Sequence, residues 1–192
     1  RDGTTHFYRV ATAYVMLKHL RVTLAIRFVL PEDETVTIVQ DLQKALKKLK
    51  IRVGCLFLDK GFARIAVMEY LERQGQPAEI ACTIRGKTGG TRALCQGNKS
   101  YRTTYTFQGA ANASFTAELA VCRVFTTAKR TKRLKRRADW MIFILIHLDW
   151  SPRQARRHYR RRFGIESSYR CAGQVRGWPT SNNTAYRFVL IA

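Results

Sequence analysis

Val53-Gly54-Cys55-Leu56-Phe57-Leu58 is a short apolar run set between two helical patterns. A strand that is apolar without alternation is covered on both faces, so the run reads as a buried central strand. Upstream, Pro31-Glu32-Asp33-Glu34 opens a helix with acids in its first turn. Val36, Val39, Leu42, Leu46 and Leu49 then recur at three and four residues, and Lys44, Lys47, Lys48 and Lys50 fill the other face and the end. Downstream, Asp59-Lys60-Gly61-Phe62 leads into a second helix, about 63–74, which stops at Gly75. Ala78 to Ile84 reads as another buried strand. Residues 5–17 and 22–30, rich in β-branched and aromatic side chains, form an antiparallel pair about a turn at Lys18 to Arg21. Strand, strand, helix, strand, helix, strand is an α/β order.

From Arg85 the texture changes. Gly86, Gly89, Gly90, Gly97, Asn98 and Gly109 break the chain, with strand-like pieces at about 101–107, 115–125 and 140–148. The spacing predicts a mainly β insertion over 85–138, with Trp140 onward returning to the core sheet. Lys129 to Arg137 holds seven basic residues in nine and reads as a loop or hairpin tip. Ser151-Pro152-Arg153-Gln154 has the pattern of a helix start, with Ser as cap, Pro at the first position and Gln closing a capping box. That Arg-rich helix runs through residues 153–170. A loop follows at 176–183, and a last helix begins near Thr184.

The chain has 192 residues and a net charge of +22. The length suits one domain. At 46% apolar it has enough to build a core, which excludes a disordered basic tail. No stretch is long and apolar enough to span a membrane. The basic helix lacks a wide apolar face, against a membrane-surface role. A positive excess of this size calls for a polyanion, nucleic acid first. The five cysteines, Cys55, Cys82, Cys95, Cys122 and Cys171, share no metal-ligand spacing and read as idle thiols of a reducing cytosol. His6, His19, His147 and His158 have no ligand spacing either. The chain starts at Arg1 without a methionine and ends in an apolar run, so it reads as cut at both ends.

Acids are scarce, so their positions carry information. Asp59 ends a buried strand, where open α/β sheets collect ligands. It can hold a divalent cation, or simply cap the turn. Tyr159, Arg162, Glu166 and Arg170 are offset by 0, 3, 7 and 11 residues and fall on one helix face. Glu166 there can neutralise arginine or bind a metal beside a phosphate-binding row. Lys129, Arg130, Lys132 and Arg133 are placed to follow a phosphate backbone. Trp178 can stack on a base, or pack under the last helix.

These segments resemble the DDE transposases of prokaryotic insertion sequences, closest to the insertion-sequence-four-like subgroup. The likeness lies in Leu58-Asp59-Lys60-Gly61-Phe62, and later in Tyr159, Arg162 and Glu166, spaced as Tyr, two residues, Arg, three residues, Glu. That family carries a basic residue after six further residues; here Gly173 stands there, with Arg170 or Arg176 as substitutes. The stretch from Gly3 to Phe7 and the tail around Arg176 and Thr180 are also similar, so the likeness covers nearly the whole chain.

The resemblance implies an RNase H-like mixed sheet flanked by helices over residues 1–192. It puts a β-rich insertion between the second Asp and the Glu. It also implies an enzyme of phosphodiester cleavage and strand transfer that uses two Mg²⁺, or Mn²⁺, with Asp59 and Glu166 as catalytic metal ligands. Tyr159, Arg162 and Arg170 would touch DNA. A cytoplasmic, nucleoid-associated location and a homodimer on paired DNA ends go with the family. The first family carboxylate is expected upstream of Arg1, residues 5–17 being the second strand; Asp2 is the other candidate. On that reading the chain by itself lacks one ligand and is inactive alone. The competing class is a non-catalytic basic nucleic-acid-binding protein.

Overall fold

The computed structural model describes residues 9–17, 20–130 and 133–160. β1 (Arg9–Leu17) and β2 (Leu20–Val29) form an antiparallel hairpin with a bulge at Ala13/Tyr14, and this hairpin is a two-stranded sheet of its own. α1 (Thr35–Lys48) follows. The expected acids lie before its first turn rather than in it. Asp33 is engaged elsewhere: it accepts the Leu30 N–H at 2.7 Å and two guanidinium bonds from Arg27, both at 2.7 Å. Arg27 also reaches Asp41 of α1 at 2.9 Å, so one arginine pins the hairpin to the helix. The same guanidinium, then the Leu30 N–H, holds the Asp33 carboxyl below its ordinary range.

β3 (Leu56–Leu58), α2 (Ile65–Arg73) and β4 (Ala78–Cys82) make a parallel βαβ unit, with Leu58 beside Ile80. β5 (Tyr101–Gln108), β6 (Ser114–Arg130) and β7 (Arg133–Ile146) follow as an antiparallel series. They join the same sheet, in the order β3-β4-β7-β6-β5, with β7 antiparallel to β4. The sheet is therefore mixed and five-stranded. α3 (Pro152–Tyr159) closes the described chain. Its start has the expected capping box: the Ser151 hydroxyl accepts the Gln154 N–H, and the Gln154 carbonyl accepts the Ser151 N–H at 2.9 Å.

Two expectations need correction. β3 lies at an edge among the described strands, because the β1–β2 hairpin pairs with itself; β4 holds the buried place instead, with Ala78, Glu79 and Ile80 all at 0% exposure. The strand carrying Trp140 begins at Arg133, not at 140. Its first residues are basic and carry no apolar alternation, so only the backbone ladder with β6 reveals them.

Strand alternation sorts the core into two layers. Ile80, Leu119, Val121, Ile142, Ile144 and Ile146 face α2, packing on Val67, Met68 and Leu71 together with Val39 of α1. Ala120, Cys122, Val124, Phe143 and Leu145 face Ala155 and Tyr159 of α3. Helices thus cover both faces, which explains the unbroken apolar runs. The two first helices end alike, each with a residue in the left-handed region: Gly75 at φ 58° and Lys50 at φ 55°. Glycine suits that conformation without strain, whereas lysine does not.

Candidate functional site

β3 and β4 are parallel and end side by side, so their carboxyl ends define one edge of the site. β3 runs straight into Asp59. That carboxylate caps a single 3₁₀ turn, Lys60–Phe62, accepting the Lys60 N–H at 2.7 Å. The capping role foreseen for Asp59 is therefore present in the structure. Position 59 also continues the parity of Phe57, so it belongs to the sheet face that α3 covers. Phe57 is tied to that helix directly. Trp150, just before α3, stacks on Phe57 at 6.1 Å and on His158 of α3 at 4.4 Å.

Beyond β4 lies a glycine-rich basic loop, Arg85-Gly86-Lys87-Thr88-Gly89-Gly90-Thr91-Arg92. The Thr91 hydroxyl donates to the Thr83 carbonyl and accepts the Arg85 N–H, both at 2.9 Å, which folds the loop back on the strand end. Gly86 has φ 96°, and a Cβ there would meet the Gly89 carbonyl oxygen at 2.2 Å, so only glycine closes this turn. Arg85, Lys87 and Arg92 are exposed. The sequence reading took these glycines only as breaks. The overlooked signal was a basic, glycine-rich turn directly after a buried strand, a common form of anion cradle.

Glu79 is the second residue that sequence reading passed over. It sits mid-strand in β4, between Phe57 and Leu145, on the face of α3. It is 0% exposed, and neither carboxylate oxygen has a hydrogen-bond partner among the described residues. Burial raises its pKa to about 8, so it stays largely protonated at neutral pH. A lone carboxylate inside Ala-Glu-Ile-Ala-Cys was the available signal. By strand spacings of about 4.8 and 6.6 Å, positions 59 and 79 are diagonal neighbours roughly 8 Å apart.

Cys55, Cys82, Cys95 and Cys122 are free thiols, and Cys171 lies outside the described residues. Burial pushes Cys55 and Cys122 to about 12 and Cys82 to about 11, far from thiolate chemistry. The Cys122 thiol donates to the Pro152 carbonyl at 3.2 Å, a further tie between β6 and α3.

Tyr159 does not lie where a DNA contact would put it. Its ring is 3% exposed and packs on Phe143 at 4.8 Å, so it is an anchor of α3 in the core. Arg153, Arg157 and Arg160 of the same segment are exposed instead. Lys129, Arg130 and Arg133 fall on the β6–β7 ladder, where Arg130 is opposite Arg133. Lys132, Arg162, Glu166, Arg170, Asp2 and Trp178 lie outside the described residues. So does the separation of Asp59 from Glu166. Among the described residues, no three His, Cys, Asp or Glu side chains cluster as a metal site. Nor is any described helix long and apolar enough to cross a membrane.

Neither a protein-family model nor a curated protein matches this chain.

Proposed function

We propose that this chain is the RNase H-like catalytic domain of a DNA transposase, one that cuts and joins phosphodiesters with Mg²⁺ or Mn²⁺. The carrying observation is positional. Asp59 follows β3 at the carboxyl end of the parallel β3–β4 pair, the end from which β4 runs on into the exposed basic loop at 85–92, and Phe57 ties β3 to the face that α3 covers. Carboxylate oxygens are hard ligands and suit Mg²⁺. In this reading the set is Asp59 with carboxylates outside the described residues. When bound, paired ions would activate the attacking oxygen and stabilise the leaving one.

The chain's own residues supply the remainder. Arg85, Lys87 and Arg92 attract the phosphodiester towards the carboxyl ends of β3 and β4. The Lys60 N–H fixes the Asp59 carboxylate against the turn. Phe57 and Trp150 form an apolar wall that holds α3 to this end of the sheet. The outer edge of β3 has no partner among the described strands, so a further strand bearing another carboxylate would find a place to pair there. This reading carries with it a nucleoid-associated cytoplasmic location and a dimer on paired DNA ends.

The test is nicking of supercoiled plasmid by the protein that contains this chain. Nicking should require Mg²⁺ or Mn²⁺. It should fall at least about 100-fold in Asp59→Asn and in Glu166→Gln, the loss of several kcal/mol of transition-state stabilisation. Metal-independent nicking, or an active Asp59→Asn protein, contradicts the proposal. A non-catalytic nucleic-acid-binding role is the second reading, favoured by the basic ends of β6 and β7. It expects DNA binding that ignores Asp59→Ala.

A further inference from the structure

β6 and β7 run on past the sheet they belong to. β5 accompanies β6 only as far as Val121, and β4 accompanies β7 only from Ile142. From Cys122 and Met141 outward the two strands pair only with each other, down to Arg130 opposite Arg133. The base of this ribbon is core: Cys122 and Val124 are buried, and Met141 packs beside them. Phe125, 47% exposed with the Arg123 guanidinium 5.4 Å from its ring centre, marks where the core stops. Beyond it stand Thr126–Arg130 and Arg133–Arg137. Five residues a side at about 3.4 Å each give a reach of about 17 Å.

The register sorts the cations. Cross-strand partners share a face, and successive residues alternate. Arg130, Arg133, Lys135 and Arg137 therefore fall on one face, Lys129 and Arg136 on the other. The four-cation face continues the row of Cys122 and Val124, which is the row that meets α3. The exposed arginines of α3 belong to that same side. Like charges directly opposite one another destabilise a ladder, and an isolated two-stranded ribbon is marginal in water. No acid stands in the sequence between Phe125 and Asp139, so the ribbon supplies no counter-charge of its own, and a polyanion would supply one.

We infer that the β6–β7 ribbon enters the major groove of B-form DNA, holding phosphates through the Arg130, Arg133, Lys135 and Arg137 face. That groove is roughly 12 Å wide and 8.5 Å deep and admits a two-stranded ribbon. A reach of about 17 Å exceeds its depth. The deep, narrow major groove of A-form RNA excludes the same ribbon. The inference rests on the nucleic-acid reading above and is independent of the metal chemistry.

Two matched variants of the full chain test it. Lys135→Thr with Arg137→Thr, and Lys129→Thr with Arg136→Thr, each remove one lysine and one arginine, and threonine keeps strand propensity. Binding to DNA and RNA duplexes of one sequence is followed across salt, with unfolding curves confirming that both variants fold. If threonine unfolds either one, glutamine at the same positions replaces it. The first pair should flatten the slope of log affinity against log salt by about 2 and weaken DNA binding at least about 10-fold; the second should do less than half of this. DNA should bind tighter than RNA. Guanine N7 should be protected from dimethyl sulfate, and that protection should vanish in the first pair. Equal effects of the two pairs overturn the face assignment. Unprotected N7, or RNA bound as tightly as DNA, overturns groove entry. Metal-dependent nicking that fails while the N7 footprint stands sinks the transposase reading alone; the reverse result sinks this one.

Discussion

The two faces of the five-stranded sheet are built differently. Under α2, the sheet contributes Ile80, Leu119, Val121, Ile142 and Ile144, none more than 2% exposed and none polar. Under α3, Phe143 and Leu145 are buried as well, but Glu79 lies among them without a hydrogen-bond partner among the described residues, and the covering helix carries three arginines, Arg153, Arg156 and Arg157. An apolar face asks only for shape complementarity. A buried carboxylate under a cationic helix has a desolvation cost that packing does not recover. The α2 face thus serves stability, and the α3 face carries the candidates for chemistry.

The largest effect that can break this contrast is at Glu79. Its folded pKa, about 8, lies above the ordinary glutamate value. The folded state therefore holds the proton more tightly than the unfolded chain. The resulting stability is fully present below about pH 4 and is lost as pH rises through 8. The loss across that window is on the order of 5 kcal/mol. Urea unfolding at pH 5, 6 and 7, below the range in which the unfolded cysteines ionise, should show the decline in the wild-type protein and a nearly flat profile in Glu79→Gln. A wild-type profile that is flat over the same range contradicts the assignment.

Tyr159 comes next. Removing a buried ring that packs on Phe143 should cost about 3 kcal/mol in Tyr159→Ala. An Arg157→Ala protein, altered at an exposed position of the same helix, should keep its stability within about 0.5 kcal/mol. Stability measured by denaturant separates the two. If Tyr159→Ala folds as well as wild type and loses only DNA affinity, the ring is not the core anchor described above.

The smallest effects belong to the helices of the α2 side. Gly75→Ala should cost about 1 kcal/mol and Lys50→Gly should gain up to about 1 kcal/mol, because both positions are left-handed. Thermal unfolding reads both, and neither should change DNA binding. A change in DNA affinity at either position would mean that the faces are not functionally separate.

Much of the fold was legible because its signals are local. Val39 and Leu46 gave α1, Gly75 gave the end of α2, and Ser151 to Gln154 gave the start of α3 through its capping box. The place of β3 was not legible, since edge and centre differ in partners rather than in composition, and Leu56-Phe57-Leu58 is equally apolar in either. The first residues of β7 were hidden because the sequence from Arg133 to Arg137 has no apolar alternation, and only its ladder with β6 reveals the strand. At the site, Asp59 could be found from its place after an apolar run. Glu79 could not, because a charge in a strand says nothing of burial until the helix above it is in place. The loop from Arg85 to Arg92 was visible as glycines and became a site only once β3 and β4 proved parallel.

The central claim is that Asp59 and Glu166 belong to one metal-binding site. Fe²⁺ substituted for Mg²⁺ in the full chain, with ascorbate and peroxide, generates radicals that cut the backbone beside its ligands. Mapping those cuts tests the claim directly. The account predicts cleavage near Asp59 and near Glu166, both lost in Asp59→Asn. Cuts confined to other segments, or cuts that persist in Asp59→Asn, would contradict it.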